Sequence, residues 1–217
     1  MPEASSTAQQ TAEHLLQIKA IKLEPKNPFT WASGWKSPIY CDNRIALSFP
    51  KIRRFICAAM AAQIKEQHPQ AKAIAGVATG AIGMGILVAE ALDLPFMYVR
   101  PEPKKHGRQN QIEGHFDTAA PTVVIEDLIS TGKSSLLAVE ALRKAGIEVL
   151  GMMAVFSYQF ALAEENMLDA DVSLTTLCGY DTLIETAVVT NYIEAADEKI
   201  LKKWREAPQN WTPNSTT

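Results

Sequence analysis

Residues 122–135 read TVVIEDLISTGKSS. Val123, Val124 and Ile125 form a short β-branched run of the kind that is buried on both faces of a parallel sheet. Glu126 and Asp127 follow where that strand is expected to end. Leu128 to Ser134 then make a turn of small and hydroxyl residues, leading into a helix marked by Leu136, Leu137, Val139 and Leu142. A helix start offers unpaired backbone N–H groups and partial positive charge, which suits a phosphate. Gly132 lets the backbone come close to a ligand, and Ser130, Thr131, Ser134 and Ser135 add hydroxyl donors. A carboxylate at a strand end accepts hydrogen bonds from sugar hydroxyls. The pattern points to a ligand that is both sugar and phosphate. The Walker A pattern fits only at Gly132, Lys133 and Ser134; its first glycine would fall on Asp127, whose charge repels a phosphate. A plain strand–turn–helix, in which Ser130 or Thr131 only caps the helix, leaves two acids at a buried strand end unexplained.

Outward from this stretch the chain alternates strand and helix. Ala73–Val77, Pro95–Arg100, Glu148–Tyr158 and Val172–Cys178 read as strands. Thr11–Leu23, Lys51–Gln67, Asp181–Val189 and Ala195–Trp204 read as helices, with a further one carrying Met84, Leu87, Val88, Ala91 and Leu92 after the small-residue turn Ala78–Ala81. This order predicts an α/β fold: a parallel twisted sheet flanked by helices, with ligand at the carboxyl ends of the strands. One domain is expected over residues 1–205, its N-terminal helix and hood covering about 11–45, with a polar, frayed tail over 206–217.

Two segments stand apart. Pro28–Arg44 is dense in aromatics and reads as a hairpin-like extension; Phe29, Trp31, Trp35 and Tyr40 suit either a core or an apolar cover over a flat ring. Arg100–His115 is the longest polar stretch inside the chain, with Arg100, Lys104, Lys105 and Arg108 as four basic groups. It suits either a solvated loop or a cationic active-site loop.

The 217 residues carry a net charge of −3 and show no basic face, so electrostatics makes no case for nucleic acid. Cys41, Cys57 and Cys178 are odd in number and widely spaced, which fits free thiols in a reducing cytosol rather than a disulfide framework or zinc site. No apolar run is long enough for a membrane span, and the first ten residues lack the regions of a signal peptide, so a cytoplasmic location is expected.

Several of these segments resemble one family. The apolar strand, acid pair and small-residue loop are similar to the phosphoribosyl-diphosphate (PRPP) motif of type I phosphoribosyltransferases. The aromatic segment resembles the F-x-x-K-S-G-x-x-S-P-x-Y pattern of orotate phosphoribosyltransferases at Phe29, Ser33, Gly34, Ser37, Pro38 and Tyr40; Ala32 stands where that family has lysine, with Lys36 nearby. The polar stretch resembles their R-K-x-x-K-x-H-G loop at Arg100, Lys104, His106 and Gly107, with Pro101 in place of the first lysine and Lys105 and Arg108 beside it. Ala78–Ala81 resembles the diphosphate loop without its lysine. The family arginine beyond the Glu148–Tyr158 strand has no counterpart among Ser157, Tyr158, Gln159 and Phe160.

The resemblance implies a type I phosphoribosyltransferase fold and transfer of the phosphoribosyl group of PRPP to orotate, giving orotidine 5′-phosphate and diphosphate in pyrimidine biosynthesis. It implies PRPP contacts from Arg100, Lys104, His106, Glu126, Asp127, Leu128, Ile129, Ser130, Thr131, Gly132, Lys133 and Ser134. Orotate would lie against Ser130 and the backbone of Ile39 and Tyr40, and Lys104, His106 and Asp127 would be the catalytic residues. Mg²⁺ is expected to arrive through PRPP, without a protein metal site. A homodimer sharing the 100–115 loop is expected as well. A purine or uracil phosphoribosyltransferase and a non-catalytic PRPP-sensing regulator are the alternatives; the aromatic segment and the K-x-H-G loop speak against the first, and the lack of a basic surface against the second.

Overall fold

The computed structural model describes residues 5–31, 33–102 and 111–213. Helix α1 (Thr7–Gln17) begins at a reciprocal cap: the Gln9 N–H donates to Ser6 Oγ at 3.2 Å and the Ser6 N–H to Gln9 Oε1 at 2.8 Å. The helix expected to run to Leu23 stops at Gln17, because Lys19 takes a left-handed φ of 57°. Strand β1 (Ile21–Leu23) follows, with Ile21 and Leu23 buried and Lys22 between them, the two-residue period of a strand. The aromatic segment forms the expected hairpin from β2 (Phe29–Thr30) and β3 (Lys36–Ser37), and β4 (Ile39–Cys41) returns to pair antiparallel with β1. A 3₁₀ turn over Asn43–Ser48 leads into α2 (Pro50–Gln67), which starts on a proline and buries Ile52, Ile56, Met60 and Ile64 at helical spacing.

The body then runs β5 (Ala73–Val77), α3 (Ile82–Leu92), β6 (Phe96–Val99), β7 (Ile112–Glu113), β8 (Thr122–Ile129), α4 (Lys133–Lys144), β9 (Val149–Ser157), α5 (Ala161–Asp169), β10 (Leu174–Gly179), α6 (Tyr180–Val189) and α7 (Asp197–Glu206). Six strands make one sheet in the order β10-β9-β8-β5-β6-β7; all pairs are parallel except β6 with β7. The crossover through α3 moves from β5 toward β6, and that through α4 moves from β8 toward β9, the opposite direction. Right-handed crossovers of opposite direction put their helices on opposite faces and leave a crevice between the two starting strands. That crevice lies between β5 and β8, beyond their carboxyl ends.

The centre of the core is β8 and β9, with Val123, Val124, Ile125, Met152, Ala154 and Phe156 inaccessible to solvent. The hood joins this body through aromatic rings. Trp204, fully buried on α7, meets Trp31, Tyr158, Phe160 and Tyr180 with ring centroids 5.6–5.9 Å apart. Its Nε1–H donates to the Lys36 carbonyl at 3.2 Å. The stretch expected to fray after residue 205 keeps Trp211 buried against the core, so apolar burial outweighs tail entropy there. All three cysteines are free.

Candidate active site

The acid pair does not end its strand. On the β5 side the β8 ladder stops at Ile125, opposite Gly76, but on the β9 side it continues to Ile129, opposite Ser157. From Glu126 onward β8 is therefore paired on one edge and open on the other. The open edge is one wall of a cavity of about 310 Å³. Val77, Ala78 and Gly80 line it from the end of β5, and Glu126, Asp127, Leu128, Ser130, Thr131, Gly132, Ser134 and Ser135 from β8 and the turn after it. The peptide between Ala78 and Thr79 is cis. Gly132 caps α4 at a φ of +77°, a left-handed conformation, and a Cβ there would lie 2.8 Å from Met167 Cε. Helix α5 also holds the turn through Asn166, whose Nδ2 donates to the Thr131 carbonyl at 2.9 Å.

Each acid is fixed by several contacts. Glu126 is buried; its Oε2 accepts from Ser135 Oγ at 2.7 Å and its Oε1 from the Asp127 N–H at 2.8 Å. Burial first, and then the hydrogen bond and charge of the adjoining Asp127 carboxylate, push the Glu126 carboxyl up to about 8. Ser135, expected as a ligand donor, is spent on this carboxyl. Asp127 is half-buried, and Asn43 Nδ2 donates to its carbonyl at 2.6 Å, tying the hood to the acid pair. A Cβ at Gly80 would collide with the Asp127 carboxylate, so the backbone of the turn after β5 lies directly against that group.

The raised Glu126 sets a stability trend. In the unfolded chain this carboxyl ionises near the ordinary glutamate value, whereas the folded state keeps the proton up to about 8. Between those limits the folded state binds more protons, so stability falls as pH rises. Glu126→Gln removes that contribution. The melting temperature of the wild type should fall relative to the variant between about pH 5 and 8, measured by thermal denaturation across that range; parallel curves would refute the shift.

A second recess, of about 280 Å³, is lined by Thr30, Trp31, Tyr40, Cys41, Leu128, Ser130 and Tyr158. Leu128 and Ser130 belong to both cavities, so the two meet at the end of β8. Trp31 is both core and cover: it packs on Tyr158 at 5.3 Å, donates from Nε1 to the Ile39 carbonyl at 3.0 Å, and walls the recess. Tyr40 faces the recess and is 42% exposed. Ile39 is buried, its N–H donating to Ser37 Oγ and its carbonyl already accepting from Trp31 and Ser37.

Of the other expected contacts, Ile129 is fully buried behind the site. Lys133 lines a separate apolar groove of about 770 Å³ between α4 and α5. Arg100, just after β6, pairs with Glu113 at 3.4 Å. Lys104 and His106 lie outside the described residues. Among the described residues no cluster of three or more His, Cys, Asp or Glu side chains suits a metal, and no helix is long and apolar enough to cross a membrane. Asn43 and Asn166 were not foreseen. Neither has a local signal, since Asn43 acts on strand β8 and Asn166 on the turn after it, both far away in the chain; Gly80 had one, as the glycine of a small-residue turn.

The phosphoribosyl transferase domain family matches residues 50–176. The orotate phosphoribosyltransferase of Porphyromonas gingivalis is 55% identical over 200 residues, covering 92% of this chain and 95% of its own length. Among solved structures, orotate phosphoribosyltransferase from Aeropyrum pernix superposes with a TM-score of 0.70 at 28% identity, over 80% of this chain and 96% of that one. Leishmania donovani UMP synthase superposes with a TM-score of 0.77 over 91% of this chain. This chain spans only 42% of that larger protein, and at 24% identity the likeness is one of fold.

Proposed function

This chain belongs to the phosphoribosyltransferase family and, within it, to the orotate phosphoribosyltransferases, and from that premise we propose that it transfers the phosphoribosyl group of PRPP to orotate. The products are orotidine 5′-phosphate and diphosphate, in pyrimidine nucleotide biosynthesis. The observation that carries this reading is the junction of two recesses at Leu128 and Ser130, one walled by acids and a phosphate-binding turn, the other by aromatic rings. A sugar phosphate in the first would present its anomeric carbon to a flat ring in the second.

The residues divide the work. The N–H groups and hydroxyls from Ser130 to Ser134 take the 5′-phosphate at the start of α4. Asp127 and Glu126 hold ribose hydroxyls, and the Asp127 charge offsets the positive charge that develops on the ribose as the diphosphate leaves. Both reactants are held in line, which supplies much of the rate by position alone. Mg²⁺ fits this donor set: the Asp127 carboxylate beside a Glu126 that keeps its proton is too little for an all-protein cage, and so suits an ion that would arrive on a diphosphate and neutralise its charge. Arg100, Lys104 and His106 are assigned to the diphosphate, in a cytoplasmic homodimer whose 100–115 segments serve each other's sites.

The test is the absorbance of orotate during incubation with PRPP and Mg²⁺, beside a panel of purine bases and uracil. Loss of orotate that needs both PRPP and Mg²⁺ is expected. Turnover of another base with orotate untouched would move the specificity, and PRPP binding without any turnover would point to a sensor. A structural prediction follows from Gly80. Gly80→Ala should fold normally, yet displace the Asp127 carboxylate and lower kcat/KM roughly 10- to 100-fold. Unchanged kinetics would show that the carboxylate has room to move.

A further inference from the structure

The aromatic recess contains no cation among its lining residues, yet the base proposed for it carries a carboxylate. Trp31, Tyr40, Cys41, Leu128 and Tyr158 offer it rings, a thiol and aliphatic carbon, with hydroxyls from Thr30 and Ser130. Burial keeps both the Cys41 thiol and the Tyr158 phenol neutral. An anion entering such a place needs a cation at its edge.

The charged side chains nearby are mostly committed. Arg44 forks onto Asp42 through two contacts of 2.6 and 2.9 Å. Arg205 pairs with Asp181 and lies over the Tyr180 ring. Lys36 differs: it makes no ion pair with any described residue, and its Nζ donates to Thr30 Oγ1 at 2.7 Å. Thr30 is a lining residue of the recess, and it pairs with Lys36 across the β2–β3 hairpin. The Lys36 backbone is held from behind by Trp204, so its ammonium extends from a fixed strand to the lip of the recess.

We infer that Lys36 is the specificity-determining cation of the base site, receiving the carboxylate of an acidic pyrimidine seated between Trp31, Tyr40 and Tyr158, with the Thr30 hydroxyl aiming the ammonium. The inference rests on the reading that this recess takes the base. It separates the two functions of the hairpin: Trp31 supplies the flat wall, and Lys36 selects a charged ring over the same ring without charge.

Lys36→Met keeps the aliphatic stem and removes the charge; Lys36→Arg restores a charge of different shape. Two readouts are paired. In steady-state kinetics, Lys36→Met should raise the KM for orotate about tenfold, an exposed charge-assisted contact being worth that order. The KM for PRPP should stay within about twofold, and Lys36→Arg should recover most of the loss. In direct titrations followed by tryptophan fluorescence, the preference for orotate over uracil should collapse in Lys36→Met while uracil affinity stays that of the wild type. An unchanged orotate preference in Lys36→Met overturns the inference, and so does an equal weakening of orotate and uracil, which would mean a collapsed wall. A wild type that prefers orotate in titration without turning it over would sink the enzymatic reading and leave the Lys36 assignment standing.

Discussion

Replacing Asp127 with Asn is expected to lower kcat/KM roughly 100- to 1,000-fold, the range found when one preorganised electrostatic contact to a transition state is removed. The substitution is nearly isosteric, and the Asn43 bond is to the main-chain carbonyl, so the end of β8 should keep its course. What disappears is charge: the charge-assisted bonds to sugar hydroxyls and the field on the carbon that turns cationic. A second readout separates this from a packing defect. Asp127 contributes to holding the Glu126 carboxyl at about 8, after burial, so in the variant Glu126 should ionise at lower pH and the fall of stability with pH should move the same way. Full activity in Asp127→Asn would remove the carboxylate from the mechanism.

The largest expected loss of stability comes from Trp204→Ala. This ring is fully buried and touches four others, from the hood, the residue after β9, the start of α5 and α6. Truncating a buried tryptophan costs about 3–5 kcal/mol, which in a domain of this length lowers the melting temperature by about 10 °C. Trp204→Phe keeps the ring contact and gives up the bond to the Lys36 carbonyl, about 1 kcal/mol. Calorimetry of the pair measures both parts, and a shift of only one or two degrees in Trp204→Ala would show that the aromatic cluster tolerates a hole.

Local chemistry made the phosphate side of the site legible. Residues 122–135 carry a strand, two acids and a helix start in one unbroken run, and the structure keeps eight of them around one cavity. The strand boundary was not legible, because it depends on which edge of β8 is paired: residues 126–129 are held by β9 alone. Strand β7 spans only Ile112–Glu113 and exists through its pairing with β6, so two residues left no period to read. Helix α5 carries little amphipathic pattern over ALAEENMLD, with Ala163 and Met167 its buried residues. The run from Thr11 to Leu23 misled because Ile18, Ile21 and Leu23 suit either period, and the left-handed turn at Lys19 is a choice of tertiary packing. The base side was half legible. Aromatic content announced Trp31 and Tyr40, but Tyr158 and Asn43 reach the site only when distant strands are brought together.

The bond from Trp204 to the Lys36 carbonyl closes a loop of 168 residues. During synthesis, which proceeds from the N-terminus, the phosphate crevice can assemble once β9 and α5 have been made, since residues 126–129 pair with β9 and Asn166 holds the turn. The wall for the base is completed later: Trp31 and Lys36 are made early but wait for Trp204 on α7, which backs both of them. A nascent chain therefore acquires its phosphate crevice before it can choose a base, and selectivity is the last property the molecule gains.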